Sequence, residues 1–454
     1  MVSNALVSVF AVDLLATSGD ITQTWTSPMY PKLYSNDTSV NPLAKPITEE
    51  QDAWIGSLLN IGAMIGALPV GFIADTIGRK KSLLCIAIPH LVAYLMFVFA
   101  DEVYMYYIAR FINGLSVGAG YALMPMYIAE ICTDKTRNSY TATLNIFWTF
   151  GNFLPYAIGP YISVQIFNSI LVGFPAVFIV VFILVAPETP LYLVQKGRIE
   201  EAEKCLMTLR STDKAGVEKE IIQIKDIIAK HEDGTLMDIF RNPGLRRAFA
   251  ISASLVSFGQ LAGSTAIGYY LQPILEESNT HITADIGSTL CGAWTFISSF
   301  SSSFAIHRLG QRIPLIISCV GNALSIFALG LYFHIRDTDP EKASELSWLP
   351  IASLLSFIAF YNFGLSGIPW AVSSQLFPNN VKAISAASIS SVSWFFSFLT
   401  TNFFNDMNDT FGRAGTFWIF SSANLVAAVF TIIWVPETKG MSFTEIHDML
   451  QNEV

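Results

Sequence analysis

Pro187-Glu-Thr-Pro-Leu-Tyr-Leu-Val194 follows one membrane-length apolar run, and Val435-Pro-Glu-Thr-Lys-Gly440 follows another. Two fainter echoes run in the same order. Pro125…Glu130…Arg137 returns as Pro369…Gln375…Lys382, and Asp75-Thr-Ile-Gly-Arg-Lys80 returns as His307-Arg-Leu-Gly-Gln-Arg312. The chain therefore reads as two halves built to one plan. Two similar halves in a membrane can rock around a site at the midplane, which is the architecture of transporters.

Composition agrees. Hydrophobic residues make up 52% of the 454 and charged residues 13%, about half the usual charged fraction. Mean hydropathy is +0.48. No soluble interior of this size holds so much apolar surface, so lipid is the solvent for most of it. The net charge of −9 and the lack of a basic aromatic patch argue against a nucleic-acid partner. The five cysteines fall in predicted spans or the central polar stretch, and no structural disulfide is expected.

Twelve runs approach the ~20 residues that cross a bilayer. They lie near 4–26, 53–74, 82–100, 104–131, 140–162, 166–186, 248–275, 285–306, 313–333, 348–376, 384–404 and 414–435. Residues 188–247 form the one long polar insert, with eleven Lys/Arg and eleven Asp/Glu. Within it, 199–209 and 217–229 space apolar residues as short amphipathic helices do. The expected fold is all-α: twelve transmembrane helices in two pseudo-symmetric six-helix bundles, 1–187 and 248–436. A linker, 188–247, joins them, and a tail, 437–454, follows.

Twenty of the twenty-six Lys/Arg flank the spans on the linker's side, five lie on the other side, and Arg110 falls inside a span. The positive-inside rule makes the linker side cytoplasmic, with both termini on it. Asn36-Asp-Thr38 then lies in the first outside loop as a glycan acceptor. Asn408-Asp-Thr410 matches too, but close to the membrane.

Gly71-Phe-Ile-Ala-Asp-Thr-Ile-Gly-Arg-Lys-Lys81 joins the second and third spans. Its acid and basic cluster, Asp75 and Arg79, would latch helix ends together; an ordinary basic turn is the plainer reading, weakened by the echo at Arg308. Glu130 and Arg137 end the fourth span and Glu188 follows the sixth, with Gln375, Lys382 and Glu437 at the matching places of the second half. Charges near lipid need partners, and a network made in one state and broken in another is a bistable element. Arg110, deep in an apolar run, needs an internal partner for the same reason.

Gly114-Leu-Ser-Val-Gly118 matches a hydrolase motif but lacks its strand–turn–helix setting. Small residues four apart in a spanning helix suit close packing, as do Gly62 and Gly66. No complete phosphate-binding loop and no metal-ligand spacing occur, so an ATP-driven pump or a membrane hydrolase is unsupported and no catalytic residue, metal or cofactor is assigned. Gly259-Gln-Leu-Ala-Gly-Ser-Thr-Ala-Ile-Gly-Tyr-Tyr270 is the most polar stretch inside any span. Gln260, Thr265 and Tyr269 lie within a few turns and would face one cavity, or else act as interhelical glue. Gly364-Leu-Ser-Gly-Ile-Pro-Trp370 breaks the tenth span, which is tolerated beside protein or a watery cavity. Trp370 and Trp394 would stack on a sugar face or serve as packing anchors.

These stretches resemble the sugar porter branch of the major facilitator superfamily over essentially the whole chain. The matches are G-F-I-A-D-T-I-G-R-K-K (71–81), R-F-I-N-G-L-S-V-G-A-G (110–120), P-M-Y-I-A-E (125–130), P-E-T-P (187–190), Q-L-A-G (260–263), G-I-P-W (367–370) and V-P-E-T-K-G (435–440). W-T-S-P (25–28) and P-E-T-P-L-Y-L-V (187–194) are most similar to its facilitated trehalose transporter-like group. The resemblance implies a plasma-membrane, multi-pass sugar transporter (hexose or trehalose) that works by alternating access as a monomer, without a cofactor and not as an enzyme. It implies Gln260 as the leading sugar contact, with Asn145, Thr265, Thr295 and Asn362 standing where the family has glutamine, asparagine, asparagine and an acid. Gly259, Gln375, Lys382 and Leu191 depart from the family pattern as well. Facilitated diffusion is the expected mode. Proton symport through Asp20 or Asp13, seven apart on one face of the first span, is the alternative, and a sugar sensor is a third reading.

Overall fold

The computed structural model describes residues 4–210, 212–229, 234–278 and 280–437, with 445 and 449. Most of the expected tail thus lies outside the described residues. All regular elements among those described are helices.

Span 1 runs over Asn4–Thr24 and continues as Thr26–Leu33, longer than the sequence suggested. Span 2 is Glu49–Ala67 and Val70–Ile77, bent by 51° at Pro69. Spans 3 to 6 are Arg79–Val98, Val103–Ile131, Asp134–Ile158 and Val164–Val185. Span 7 is cut into Pro243–Leu261, Ser264–Tyr269 and Leu271–Glu277, and span 8 into Ala284–Ser298 and Ser301–Leu309. Span 9 is Arg312–Thr338, span 10 is Leu349–Phe363 with Ile368–Leu376, and spans 11 and 12 are Asn379–Asn402 and Phe404–Trp434. Eight helical stretches are long and apolar enough to cross a membrane alone, and bent span 2 makes a ninth. Spans 4, 5 and 8 are not among them: span 8 is broken into helices of 15 and 9 residues, and span 4 carries polar groups such as Arg110, Asn113 and Ser116, all buried.

The packing repeats as the sequence does. In the first half span 1 packs on spans 5 and 6, span 2 on span 4, and span 3 on spans 4 and 6. In the second, span 7 packs on 11 and 12, span 8 on 10, and span 9 on 10 and 12. Each pair is its counterpart advanced by six. Between the halves span 2 meets span 11 and span 5 meets span 8, again symmetry mates. Gly114-Leu-Ser-Val-Gly118 lies inside span 4 and packs on Gly62 and Gly66 of span 2.

In the insert Pro190–Gln195, Ile199–Arg210 and Lys214–Ala229 fold around a small core of Leu193, Leu206, Val217 and Ile221, while Leu236–Arg241 packs through Ile239 on the start of span 7. Arg210 donates Nη1 to Ile131 O at 2.7 Å and Nη2 to Cys132 O at 3.3 Å, tying the insert to the end of span 4. This end of the molecule is the linker face. Burial pushes the Cys205 thiol up to about 12, which keeps it protonated and inert.

One asymmetry governs function. Toward the opposite face a single aromatic core joins both halves, with Trp25, Tyr30 and Phe97 beside Tyr269, Tyr270 and Phe404. Toward the linker face each half keeps its own core. The halves are closed together on one side and parted on the other.

Candidate functional site

Three layers lie along the seam between the halves. At the linker face Gly78 takes a φ of +98°, and the turn sets Glu188 over the first amides of span 3. Glu188 Oε1 accepts from Arg79 N at 2.9 Å, Lys80 N at 3.0 Å and Thr189 N at 3.0 Å. A carboxylate at a helix N-terminus satisfies unpaired donors and the helix dipole together. Arg79 reaches Asp75 at 2.9 Å and Glu130 at 3.1 Å. The second half repeats the device. Gly310 has a φ of +80°, and Glu437 accepts from Gln311 N at 3.3 Å and Arg312 N at 3.2 Å. The duplicated Pro-Glu-Thr thus supplies the same cap twice.

One expectation needs correction here. The cation on Glu130 is Arg79, while Arg137 is exposed and donates Nε to Ala129 O at 3.2 Å. Spacing along one helix suggested the pair, but the turn after span 2 brings Arg79 closer. Arg308 lies over the Phe304 ring at 5.6 Å, and Gln375 and Lys382 are exposed.

At the opposite face Arg110 is fully buried and joins none of the salt bridges among the described residues. It donates Nε to Ile55 O at 2.8 Å, Nη2 to Gly56 O at 3.3 Å and Nη1 to Thr22 O, and it lies 5.6 Å from the Tyr269 ring. Backbone carbonyls and an aromatic face replace the carboxylate a salt bridge would need. Tyr269 turns away from Gln260 into this layer, donating to Gln23 Oε1 and Asn60 Oδ1, both at 3.1 Å.

Asp52 went unnoticed in the sequence because it reads as one of several acids in a helix's first turn. It is 3% exposed and ties the halves together. Tyr270 Oη of span 7 donates to Oδ1 at 2.9 Å, Asn405 Nδ2 of span 12 to Oδ1 at 2.7 Å, and Tyr34 Oη to Oδ2. Asp52→Ala strands these donors and is expected to favour opening at this face by about 1–3 kcal/mol. Thiol labelling from that side, at a cysteine introduced by Thr401→Cys, measures it. Unchanged labelling would limit Asp52 to local packing.

Between these layers lies the polar middle. Gly263, at φ +86°, breaks span 7, and Thr265 Oγ1 donates back across the break to Gln260 Oε1 at 2.5 Å. Gln260 Nε2 donates to Ser393 Oγ of span 11 at 3.2 Å. Asn362 donates to Thr295 O at 3.2 Å and Ser298 Oγ at 2.8 Å. From the first half come Asp20, Gln23, Tyr121, Trp148 and Asn152, of which only Asp20 was singled out from sequence. Tyr121 lies 4.9 Å from Trp148 and 6.1 Å from Trp394, ring to ring across the seam. Gln23, Tyr121, Trp148, Asn152, Gln260, Thr265 and Trp394 are all partly exposed though they lie between the halves, so solvent reaches the middle. Asp13 faces span 5 as Asp20 does, accepting from Thr143 Oγ1 at 2.7 Å. Asn145 and Trp370 are exposed and are not joined to this cluster by any described hydrogen bond or ring contact.

Two six-span halves, sealed on one face and parted on the other around a wet polar middle, define a membrane transporter of the major facilitator architecture rather than an enzyme. The chain belongs to the sugar transporter family: residues 17–450 match the family described as "Sugar (and other) transporter". It is 29% identical over 447 residues to the facilitated trehalose transporter Tret1 of Apis mellifera ligustica, covering 97% of this chain and 87% of the relative. It is 29% identical over 444 residues to Tret1 of Bombyx mori, with 97% and 86% covered. Its fold is similar to the inward-open xylose transporter XylE from E. coli, at TM-score 0.79, 20% identity and coverage of 97% and 99%. The partially occluded inward-open form scores 0.77 at 22% identity, covering 96% and 99%.

Proposed function

We propose that the protein carries a neutral sugar, a hexose or trehalose, down its gradient by alternating access. The observation that carries this reading is the core that is shared at one face and divided at the other, around an uncharged amide and hydroxyl cluster. The printed names of the relatives support trehalose and facilitation. The bodies that rock are 1–187 and 248–436, with 188–247 as linker. Basic residues crowd the linker face, which supports a cytoplasmic linker and cytoplasmic termini in the plasma membrane. Asn36 then faces outward in an exposed loop as the glycan acceptor. Asn408 sits inside span 12 with both amide atoms buried and is no rival. The monomer is the working unit.

Uptake of labelled glucose and trehalose into proteoliposomes, with and without a pH gradient, tests the reading. Equal equilibration in both conditions is expected. Accumulation driven by an inward proton gradient and lost in Asp20→Asn would replace facilitation by symport through Asp20 or Asp13. Sugar binding without uptake would mark a sensor.

Gln260 is the leading sugar contact, with Thr265 and Ser393 holding its amide and Trp394 beside them. Asn145, Thr295, Asn362, Trp370 and Tyr269 are assigned lesser parts. Gln260→Leu is expected to weaken binding by about 1–3 kcal/mol, because polar partners lose their bonds. Wild-type affinity by calorimetry would assign Gln260 to helix packing.

A further inference from the structure

We propose that Asp20 is a positioning residue that sets substrate choice: it fixes the Asn152 amide so that the first half offers sugar hydroxyls an acceptor beside an aromatic wall. The inference rests on the sugar-transport reading above.

Asp20 is 3% exposed and takes part in no ion pair among the described residues. Both of its oxygens accept from neutral donors: Oδ1 from Tyr121 Oη, and Oδ2 from Asn152 Nδ2 at 2.7 Å. A carboxylate that accepts at both oxygens dictates which way its neighbours turn, because it has no proton to offer. The Asn152 amide must therefore point its nitrogen at Asp20. Its second N–H direction is taken by Trp148 O at 3.4 Å. Asn152 Oδ1 accepts none of the described hydrogen bonds, on a residue that is partly exposed between the halves. Beside it lie the rings of Trp148, Tyr121 and Trp394.

The acid cannot easily swing aside. A Cβ on Gly151 would fall 2.5 Å from Thr17 O and 3.1 Å from Asp20 Cβ, so spans 1 and 5 touch backbone to backbone there. The wall thus shows a substrate an acceptor beside an apolar face. Hydroxyls of a neutral sugar donate to such an acceptor. The carboxylate of an anionic sugar has nothing to donate to it and is disfavoured.

Asp20→Asn tests this. Its amide offers one acceptor where the carboxylate offered two, so it no longer fixes Asn152 in one orientation, and Asn152 can turn over and show the substrate donors instead. Uptake of glucose and trehalose is expected to show KM raised on the order of tenfold, with kcat within about twofold. Glucuronate is expected not to compete in wild type and to become a competitor in the variant. The exchange variant Asp20→Asn/Asn152→Asp rebuilds the bond with a carboxylate oxygen toward the substrate, and is expected to recover neutral-sugar KM and glucuronate exclusion. If Asp20→Asn does not fold, Asn152→Ala is expected to raise KM alike. Tryptophan fluorescence titration reads the same affinities without transport. Unchanged KM and glucuronate exclusion in Asp20→Asn and Asn152→Ala would overturn the assignment, as would loss of proton-driven accumulation at unchanged KM. A wild type that neither binds nor moves sugar would instead sink the transport reading itself, and this inference with it.

Discussion

Gly118→Leu is expected to remove nearly all folded protein. Spans 2 and 4 meet through four glycines, without side chains between them. A Cβ added at Gly118 would lie 2.0 Å from Ala63 O, and one at Gly114 2.1 Å from Leu59 O. From the other helix, Gly62 and Gly66 would bring theirs to 2.3 Å from Phe111 O and 2.2 Å from Leu115 O. The obstacles are backbone carbonyls, which no rotamer change moves. In a membrane, where no hydrophobic drive holds helices together, close backbone approach is a large part of what does. Overpacking of this kind costs about 1–3 kcal/mol and more when the backbone must shift. A leucine forces spans 2 and 4 apart, and span 2 also forms the seam with span 11. Monodisperse yield on size exclusion and the melting temperature measure the effect, with Gly118→Ala expected between wild type and Gly118→Leu. A leucine variant with wild-type yield and melting would refute the packing assignment.

Glu188→Ala is expected to slow transport tenfold or more at matched surface expression. The carboxylate closes the N-terminus of span 3 with three backbone bonds, and its turn depends on Gly78, where a Cβ would fall 2.3 Å from Glu188 Oε2. Removing it leaves amides unpaired at the face where the halves part. Glu437→Ala is expected to do less, because its described bonds to Gln311 N and Arg312 N are longer. Arg79→Ala should exceed Arg137→Ala, since it leaves Glu130, whose side chain is 11% exposed, without its cation. Breaking a buried pair costs about 3–5 kcal/mol, whereas an exposed arginine contributes little. Initial uptake rates decide it; Glu188→Ala within twofold of wild type, or Arg137→Ala the more damaging, would contradict the geometry.

Local rules made much of this readable beforehand. Apolar length located the spans, because lipid demands about twenty apolar residues whatever they pack against. Repetition disclosed the two halves, because the same cap is needed at spans 3 and 9. Small residues four apart signalled contact without naming the partner. The aspartates of span 1 stood out because charge inside an apolar run is rare.

Partners were another matter. Arg110 called for an internal partner by chemistry, and three backbone carbonyls from spans 1 and 2 supply it, an arrangement that periodicity does not reveal. Tyr269 shares a short polar stretch with Gln260, but the break at Gly263 and the restart at Ser264 turn it toward Gln23 and Asn60. Asp52, Asn152 and Tyr121 carry no motif at all. They matter only because helices remote in sequence converge on them.

Sequence alone therefore determined the solvent, the number of spans, the duplication and the family resemblance, all of which depend on composition and short-range order. The tertiary structure decided which charges meet, which face is sealed, and that the acid of span 1 aims an amide from span 5. Those depend on distances between segments far apart in the chain, and a hydrogen bond forms only within about 3 Å.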